Sequence, residues 1–247
     1  MALVGSVPPT ASNNDVEDQR TAELAAGLAA VEARIAAGCL AAGRARSEVT
    51  LIVVSKTYPA TDVRRLAGLG VREVGESRDQ EAAPKAAESA DLDLAWHFIG
   101  RLQSNKARSV AQYADAVHSV DRSSLVAPLG RGAVEAGRVV RCFVQVSLDG
   151  DPARGGVPVD AVAELADRIA GTAGLELAGV MAVAPNQADP DPAFALLKTV
   201  STRLIGTHPL ATAISAGMSG DLEEALCHGA THLRVGSAVL GVRPPLE

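Results

Sequence analysis

The chain has 247 residues and a formal net charge of −6, with 23 basic against 29 acidic side chains. This acidic balance argues against nucleic acid or an anionic membrane as the main partner. The three cysteines are odd in number and far apart, so they indicate neither a disulfide framework nor a metal motif and suit a reducing compartment. The N-terminus has no signal-peptide pattern and no later stretch reaches membrane-spanning length, so a cytoplasmic protein is expected.

The N-terminal part of the sequence predicts an arm followed by a helix. Residues 1–18 are polar and interrupted by prolines and asparagines, which predicts a disordered arm. From Thr21 onward, apolar residues recur at steps of four and three, at Leu24, Leu28, Val31, Ile35 and Cys39. This spacing predicts an amphipathic helix that ends near Gly43 and lies against the outside or the floor of the main domain.

The rest of the chain alternates short apolar runs with helical patterns. Eight runs read as buried strands, at 50–55, 72–75, 94–99, 116–120, 139–146, 175–181, 212–215 and 232–235. Helical patterns follow at 60–68, 77–90, 104–113, 122–136, 158–171, 192–206 and 219–228.

With no long linker between these segments, the alternation favours one (β/α)8 TIM-type barrel over residues 19–247, with an extra N-terminal helix. An open doubly wound sheet gives the same alternation and is the alternative fold. No apolar heptad or partner strip is visible, so a monomer is expected.

The first strand ends on a lysine. Leu51 to Val54 predict a strand covered on both faces, and Lys56 follows at its carboxyl end, where α/β barrels place their chemistry. A partly desolvated amine has a lowered pKa and attacks a carbonyl to form a Schiff base, so Lys56 is the candidate nucleophile. A lysine that only reaches past a core strand into solvent is the simpler alternative.

Three other strand ends carry candidate binding residues. Ser77, after the second strand, is placed either to cap the next helix or to contact a ligand there. His97 alternates with Trp96 and Phe98, so it points into the barrel if those two pack outward; it then contacts a cofactor ring or is a hydrogen-bonded core histidine. Met181, at the end of the sixth strand, is a ring contact or a core methionine.

The strongest constellation lies near the C-terminus. The segment Ser215-Ala216-Gly217-Met218-Ser219 leads from the seventh strand toward a helix, and Arg234-Val235-Gly236-Ser237 leaves the eighth strand into a short extra turn. Barrels frequently hold a phosphate with the loops after these two strands and the start of such a turn. Ser215, Gly236 and Ser237 are therefore the candidate phosphate ligands.

Lys56 and this cradle face the same barrel mouth. An aldehyde that carries a phosphate satisfies both, and pyridoxal 5′-phosphate (PLP) is the common cofactor of that shape. Arg234 would then lie at the pyridine nitrogen. Because an arginine stays charged, it leaves the ring nitrogen unprotonated and the electron sink weak, which favours a carrier or mild chemistry.

The chain resembles the YggS/PROSC group of PLP homeostasis proteins in segments that occur in the same order: Val54-Ser55-Lys56-Thr57, Gly75-Glu76, His97-Phe98-Ile99-Gly100 with Leu102-Gln103-Ser104-Asn105-Lys106, Gly217-Met218-Ser219 and Arg234-Val235-Gly236-Ser237. The resemblance covers roughly residue 20 to the C-terminus and adds Met218 to the candidate cofactor-binding residues. It implies a barrel similar to the N-terminal domain of alanine racemase, with PLP held on Lys56 as a Schiff base. It also implies a cytoplasmic role in buffering PLP or delivering it to PLP-dependent apo-enzymes.

Two positions depart from the family pattern. Ser77 stands where the family usually carries an asparagine, and its shorter side chain weakens the case for a ring-side hydrogen bond. Tyr58 stands where the family often carries a lysine, which weakens any proposal of an auxiliary transfer lysine there.

Two functions remain for this site, a PLP carrier without robust catalysis and an amino-acid racemase. Racemisation in alanine racemase-like proteins uses a second base, a tyrosine from an additional β domain. This chain offers only Tyr58 and Tyr113, and no second domain is expected after the eighth strand, so the carrier is favoured. A barrel that binds another phosphorylated metabolite is a third, weaker interpretation.

Overall fold

A computed structural model describes residues 13–151, 154–185 and 188–241, with side chains from residue 17 onward. Within these residues eight parallel strands close into a barrel in the order β1 to β8, and β1 pairs with β8. The strands are β1 Thr50–Val54, β2 Glu73–Glu76, β3 Ala95–Phe98, β4 Ala116–Val120, β5 Val140–Gln145, β6 Leu175–Met181, β7 Ala213–Ser215 and β8 His232–Val235. The predicted (β/α)8 barrel is confirmed, and closure between β1 and β8 rules out the open sheet.

Helices surround the barrel and connect successive strands. They are α1 Asn13–Ala41, α2 Ala60–Gly68, α3 Asp79–Glu88, α4 Ala107–Val110, α5 Val126–Glu135, α6 Val162–Ala170, α7 Asp191–Thr207, α8 Leu222–Cys227 and α9 Ser237–Leu240. The short extra turn expected after the eighth strand is α9. Parallel strands require such crossover connections, since a tight hairpin cannot join them.

The two faces of the barrel sheet differ in composition. The outer face packs against the helices and belongs to the large apolar core, where Trp96 and Phe98 are buried, so the condition for an inward His97 is met. The inner face holds a smaller apolar cluster around Phe143 and Met181, together with three histidine rings in contact with one another. Because side chains alternate along a strand, His97 between Trp96 and Phe98 lies on the inner face.

Helix α1 begins earlier than the sequence predicts. It starts at Asn13, so the expected disordered arm is wrong for residues 13–18, while residues 1–12 lie outside the described part of the chain. Glu17 and Asp18 lie near the helix start, where negative charge is favoured. The predicted apolar positions Leu24, Val31, Ile35 and Cys39 are buried against the domain.

By length and composition, α1 is a candidate membrane span over Glu17–Ala41, with a mean hydropathy of 1.6. The expectation that no stretch reaches that length is therefore wrong. In this fold the helix lies along the barrel, where Arg20 pairs with Asp62 at 2.8 Å and Arg34 with Glu223 at 2.7 Å. Gly27 brings it close to α9, since a Cβ there would lie 2.5 Å from the carbonyl oxygen of Val239.

Candidate functional site

The end of β1 turns sharply to present Lys56. The turn is closed by a hydrogen bond of 3.0 Å from the Tyr58 amide to the Ser55 carbonyl, and Thr57, its third residue, has a φ of 70°. Type II turns require a positive φ at this position, which a β-branched side chain tolerates poorly. The strained turn places Lys56, half-buried, at the inner-face position that follows Val54.

A buried polar cluster braces this turn from the outer face. Glu76 Oε1 accepts hydrogen bonds from Ser55 Oγ at 2.8 Å and from Lys85 Nζ at 2.7 Å. Lys85 Nζ also donates to the Ser55 carbonyl at 3.0 Å. Lys85 and Glu76 are 8% and 1% exposed, so the pair fixes the backbone immediately before Lys56 from a dry position.

A cavity of about 600 Å³ opens at the carboxyl end of the barrel. This volume is ordinary for a small-molecule site. Its walls come from the ends of β1, β3, β7 and β8, and its lining residues are Val54, Lys56, Tyr58, Ile99, Met218, Ser219, Gly220, Arg234, Gly236, Ser237 and Gly241. Five predicted site residues are thus brought together here: Lys56, Met218, Arg234, Gly236 and Ser237.

One wall of the cavity consists of serines and glycines. Ser237 Oγ and Ser219 Oγ are 3.3 Å apart, and the Ala238 amide donates to Ser219 Oγ at 3.4 Å. Gly236 lies close to β1, because a Cβ there would be 3.2 Å from the Val54 carbonyl oxygen. Small residues and hydroxyl donors at this wall suit an anionic oxygen group.

Arg234 forms the floor of the cavity. Its Nη1 donates to Ser215 Oγ at 2.6 Å and its Nη2 to the Ala182 carbonyl at 2.9 Å. The residue is 5% exposed, and burial lowers the pKa of its guanidinium to about 10, although the charge of Asp221 opposes the shift. The side chain therefore remains a cation at neutral pH.

Four predicted site residues lie outside the cavity lining, and three of them lie inside the barrel. His97 is inside the barrel, where its Nε2 contacts Glu73 Oε2 at 2.6 Å and its Nδ1 contacts His118 Nε2 at 2.8 Å. Met181 is buried in the inner apolar cluster. Ser215 is fully buried beneath Arg234. For His97 and Met181 the sequence left open a contact to a cofactor ring or a place in the core, and the geometry of both residues matches the core.

Ser77 lies at a neighbouring cavity of about 250 Å³ that Arg78, Arg101 and Lys106 also line. It does not cap the next helix, because α3 begins at Asp79 with Arg78 at the N-cap and no side-chain capping bond. Ser77 instead lies against Gly100, where a Cβ would be 2.0 Å from the Ser77 carbonyl oxygen.

Sequence reasoning missed some of the lining. Ser219 was visible as a second hydroxyl in the seventh-strand loop, but nothing in a loop sequence tells which hydroxyl turns inward. Tyr58 closes one side, since its hydroxyl donates to the Gly241 carbonyl at 2.9 Å. Arg20 of α1 lies 5.7 Å from the centre of the Tyr58 ring, a contact that no local signal in the sequence predicts.

Comparison with known proteins agrees with this geometry. Residues 28–244 match the family model described as alanine racemase, N-terminal domain. A pyridoxal phosphate homeostasis protein of Mycobacterium leprae (strain TN) is 44% identical over 249 residues, covering 94% of this chain and 97% of that protein. The protein of the same name from Escherichia coli (strain K12) is 32% identical over 227 residues, covering 90% and 97%.

Solved structures extend the likeness to three dimensions. PipY of Synechococcus elongatus PCC7942, solved with PLP bound, is 34% identical with a TM-score of 0.77, covering 88% of this chain and 100% of that chain. Alanine racemase from Streptomyces coelicolor A3(2) is 18% identical with a TM-score of 0.68 and shares the fold, covering 91% of this chain and 59% of that chain. The resemblance in the sequence is confirmed, and the chain belongs to the family of pyridoxal phosphate homeostasis proteins, which is built on the alanine racemase N-terminal domain.

Proposed function

We propose that this protein binds PLP at the Lys56 cavity and acts as a cytoplasmic carrier that buffers the cofactor or passes it to apo-enzymes. One observation carries the proposal: a single cavity is lined by Lys56, which follows β1, and by Ser219 and Ser237, which follow β7 and β8. PLP carries an aldehyde and a phosphate, which are the two groups that this lysine and these serines suit.

The residues fit the cofactor in chemical type. The amine of Lys56 would add to the aldehyde carbon, and loss of water then leaves a C=N bond, the Schiff base. Ser219, Ser237 and the backbone at Gly236 would hold the phosphate. Arg234, which only donates, would face the ring nitrogen and keep it unprotonated. Bound PLP supplies an electron sink, which this arrangement weakens.

Slow or absent turnover is part of the proposal. Among the described residues that line the cavity, the titratable ones are Lys56, Tyr58 and Arg234. Tyr58 already donates its hydroxyl hydrogen to Gly241, and Tyr113 lies elsewhere, beside Asp79. Racemisation requires a second proton-transfer group on the opposite side of the substrate, so among the described lining residues Tyr58 is the candidate that would support the alternative.

The test is chemical. The purified protein with PLP is expected to absorb in the visible range, and borohydride reduction followed by peptide mapping should find a pyridoxyl group on Lys56. A modification on Lys106 or Lys85 instead would contradict the site. For the alternative, a sensitive assay of exchange between L- and D-amino acids is expected to show none, and exchange that is lost in both Lys56→Ala and Tyr58→Phe would favour the racemase.

A further inference from the structure

A line of hydrogen bonds crosses the inside of the barrel from Arg234 to its opposite end. Arg234 Nη1 donates to Ser215 Oγ at 2.6 Å, and Ser215 Oγ lies 2.7 Å from His118 Nδ1. His118 Nε2 lies 2.8 Å from His97 Nδ1, and His97 Nε2 lies 2.6 Å from Glu73 Oε2. We call Ser215, His118, His97 and Glu73 the barrel chain.

The barrel chain is dry apart from its last member. Ser215, His118 and His97 are at most 1% exposed, whereas the Glu73 side chain is 29% exposed at the amino end of the barrel. The His118 ring stacks on Phe143 with 4.2 Å between ring centres, which fixes its orientation. Such a buried polar network has a defined donor and acceptor at every bond.

The two ends decide the direction of the first and the last hydrogen bond. Arg234 has only donors, and Glu73 is an acceptor when ionised. Burial alone raises the pKa of Glu73, but the hydrogen bond from His97 and the charge of Arg141 outweigh it and hold the pKa below its usual range. Glu73 is therefore a carboxylate at neutral pH and accepts from His97 Nε2–H.

The direction of the middle bonds depends on the protonation of His97, which the proposal takes as neutral. A neutral His97 that donates from Nε2 accepts at Nδ1, so His118 donates from Nε2 and accepts at Nδ1, and the Ser215 hydroxyl donates to His118. Burial, together with the nearby positive charges of Arg234 and Arg141, holds the pKa of His118 well below its ordinary value. His118 is therefore neutral, which this direction requires.

We propose that the barrel chain is a positioning device for Arg234, in which Glu73, His97 and His118 orient Ser215 as a hydrogen-bond acceptor that fixes the guanidinium under the cavity. A hydroxyl that donates its own hydrogen is the better acceptor, because hydrogen bonds in a row polarise one another. Arg234 forms no ion pair among the described residues, so Ser215 Oγ and the Ala182 carbonyl are its hydrogen-bond acceptors. The effect on a bound ring rests on the proposed function, whereas the direction of the bonds does not.

The first test needs no cofactor. In ¹⁵N-histidine-labelled protein at neutral pH, NMR correlation spectra are expected to show both His97 and His118 neutral and protonated at Nε2. A proton on Nδ1 of either ring, alone or in a doubly protonated imidazole, would reverse the direction and overturn the proposal.

The second test measures PLP binding and the absorption spectrum of the bound cofactor. Ser215→Ala is expected to raise the dissociation constant about 10-fold and Glu73→Gln about threefold, each with a shift of the absorption maximum. Glu176→Gln is the matched control, since Glu176 is exposed at the same end of the barrel on β6 and should change neither.

Unchanged affinity and spectrum in both Ser215→Ala and Glu73→Gln would overturn the positioning role even if the tautomers are as expected. If Ser215→Ala does not fold, Glu73→Gln and the wild-type NMR result still decide the matter. A wild-type protein that forms no Lys56 adduct contradicts the proposed function instead, and the tautomers then test the barrel chain alone.

Discussion

Near the ends of β1 and β2, a lysine on the outer side of the barrel sheet and a lysine on its inner side have different surroundings. On the outer face, Lys85 is enclosed and its charge is matched by Glu76 at 2.7 Å. On the inner face, Lys56 is half-buried and borders a cavity. Two lysines that lie close to the end of β1, Lys56 in the chain and Lys85 through a contact from α3, thus have different chemical prospects, and burial alone does not identify the reactive one.

The largest expected effect separates these two lysines. After incubation with PLP and borohydride reduction, Lys56→Ala should lose the pyridoxyl adduct completely, because the amine that faces the cavity is gone. Lys85→Met should keep it, provided that the variant is folded by circular dichroism. Mass spectrometry of the peptides measures both. An adduct that survives in Lys56→Ala would show that Lys56 is not the lysine that reacts.

The ion pair on the outer face should govern stability. Lys85→Met leaves the Glu76 carboxylate buried without its partner, which is expected to lower the free energy of unfolding by about 3–5 kcal/mol. The double variant Lys85→Met/Glu76→Leu removes both charges and should recover most of that loss. Urea unfolding measures each value, and a double variant no more stable than the single one would show that the pair is not the cause.

The free energy of unfolding should depend on pH through a histidine on the inner face. Burial lowers the pKa of His232 to about 4 from an ordinary 6.5, and the charge of Arg141 acts in the same direction. Between pH 6.5 and 4, therefore, this ring is protonated in the unfolded chain but neutral in the folded protein. The contribution is fully present above pH 6.5 and is lost as the pH falls through 4, by at most about 3 kcal/mol.

The matched variant for this effect is His232→Gln. Its free energy of unfolding should decline less than that of the wild type between pH 6.5 and 4, while both lose the same amount from their carboxylates. Parallel curves for the two proteins would show that this ring does not couple folding to pH.

The smallest expected effect concerns the turn after β1, which carries Lys56 and is braced from the outer face. Thr57→Gly removes the strain of a β-branched residue at a φ of 70°. Glycine also raises the entropy of the unfolded chain, so the net stabilisation of the fold should be about 1 kcal/mol. Thr57→Ser keeps a side chain at the strained position and should gain nothing. Thermal unfolding of both variants measures the difference, and a loss in Thr57→Gly would mean that the hydrogen bond from Thr57 Oγ1 to the Lys56 carbonyl outweighs the strain.

Much of this fold could be predicted from sequence, because a buried parallel strand has a distinctive apolar run and its side chains alternate. The eight strands and the inward direction of His97 follow from those two facts. How deep a residue lies along the barrel axis does not follow from them. Ile99 lines the cavity, whereas His97, two residues earlier on the same face, lies in the interior. That depth depends on the stagger between neighbouring strands, which no single strand encodes.

The same limit applies to the other site residues. Ser215 was predicted to hold phosphate, but the longer Arg234 side chain lies between it and the cavity. Ser219, four residues later and outside any strand, contributes the hydroxyl beside Ser237. Periodicity predicts faces within strands, and it carries no information about loops, which are placed by contacts distant in sequence.

Helix α9 begins at Ser237, and on its far side the carbonyl oxygen of Val239 approaches Gly27 so closely that even a methyl group would not fit. A larger residue at position 27 would therefore push α9 away from α1 and move Ser237, which lines the cavity, although Gly27 is not itself a lining residue. A helix on the outside of the barrel in this way takes part in shaping the cavity.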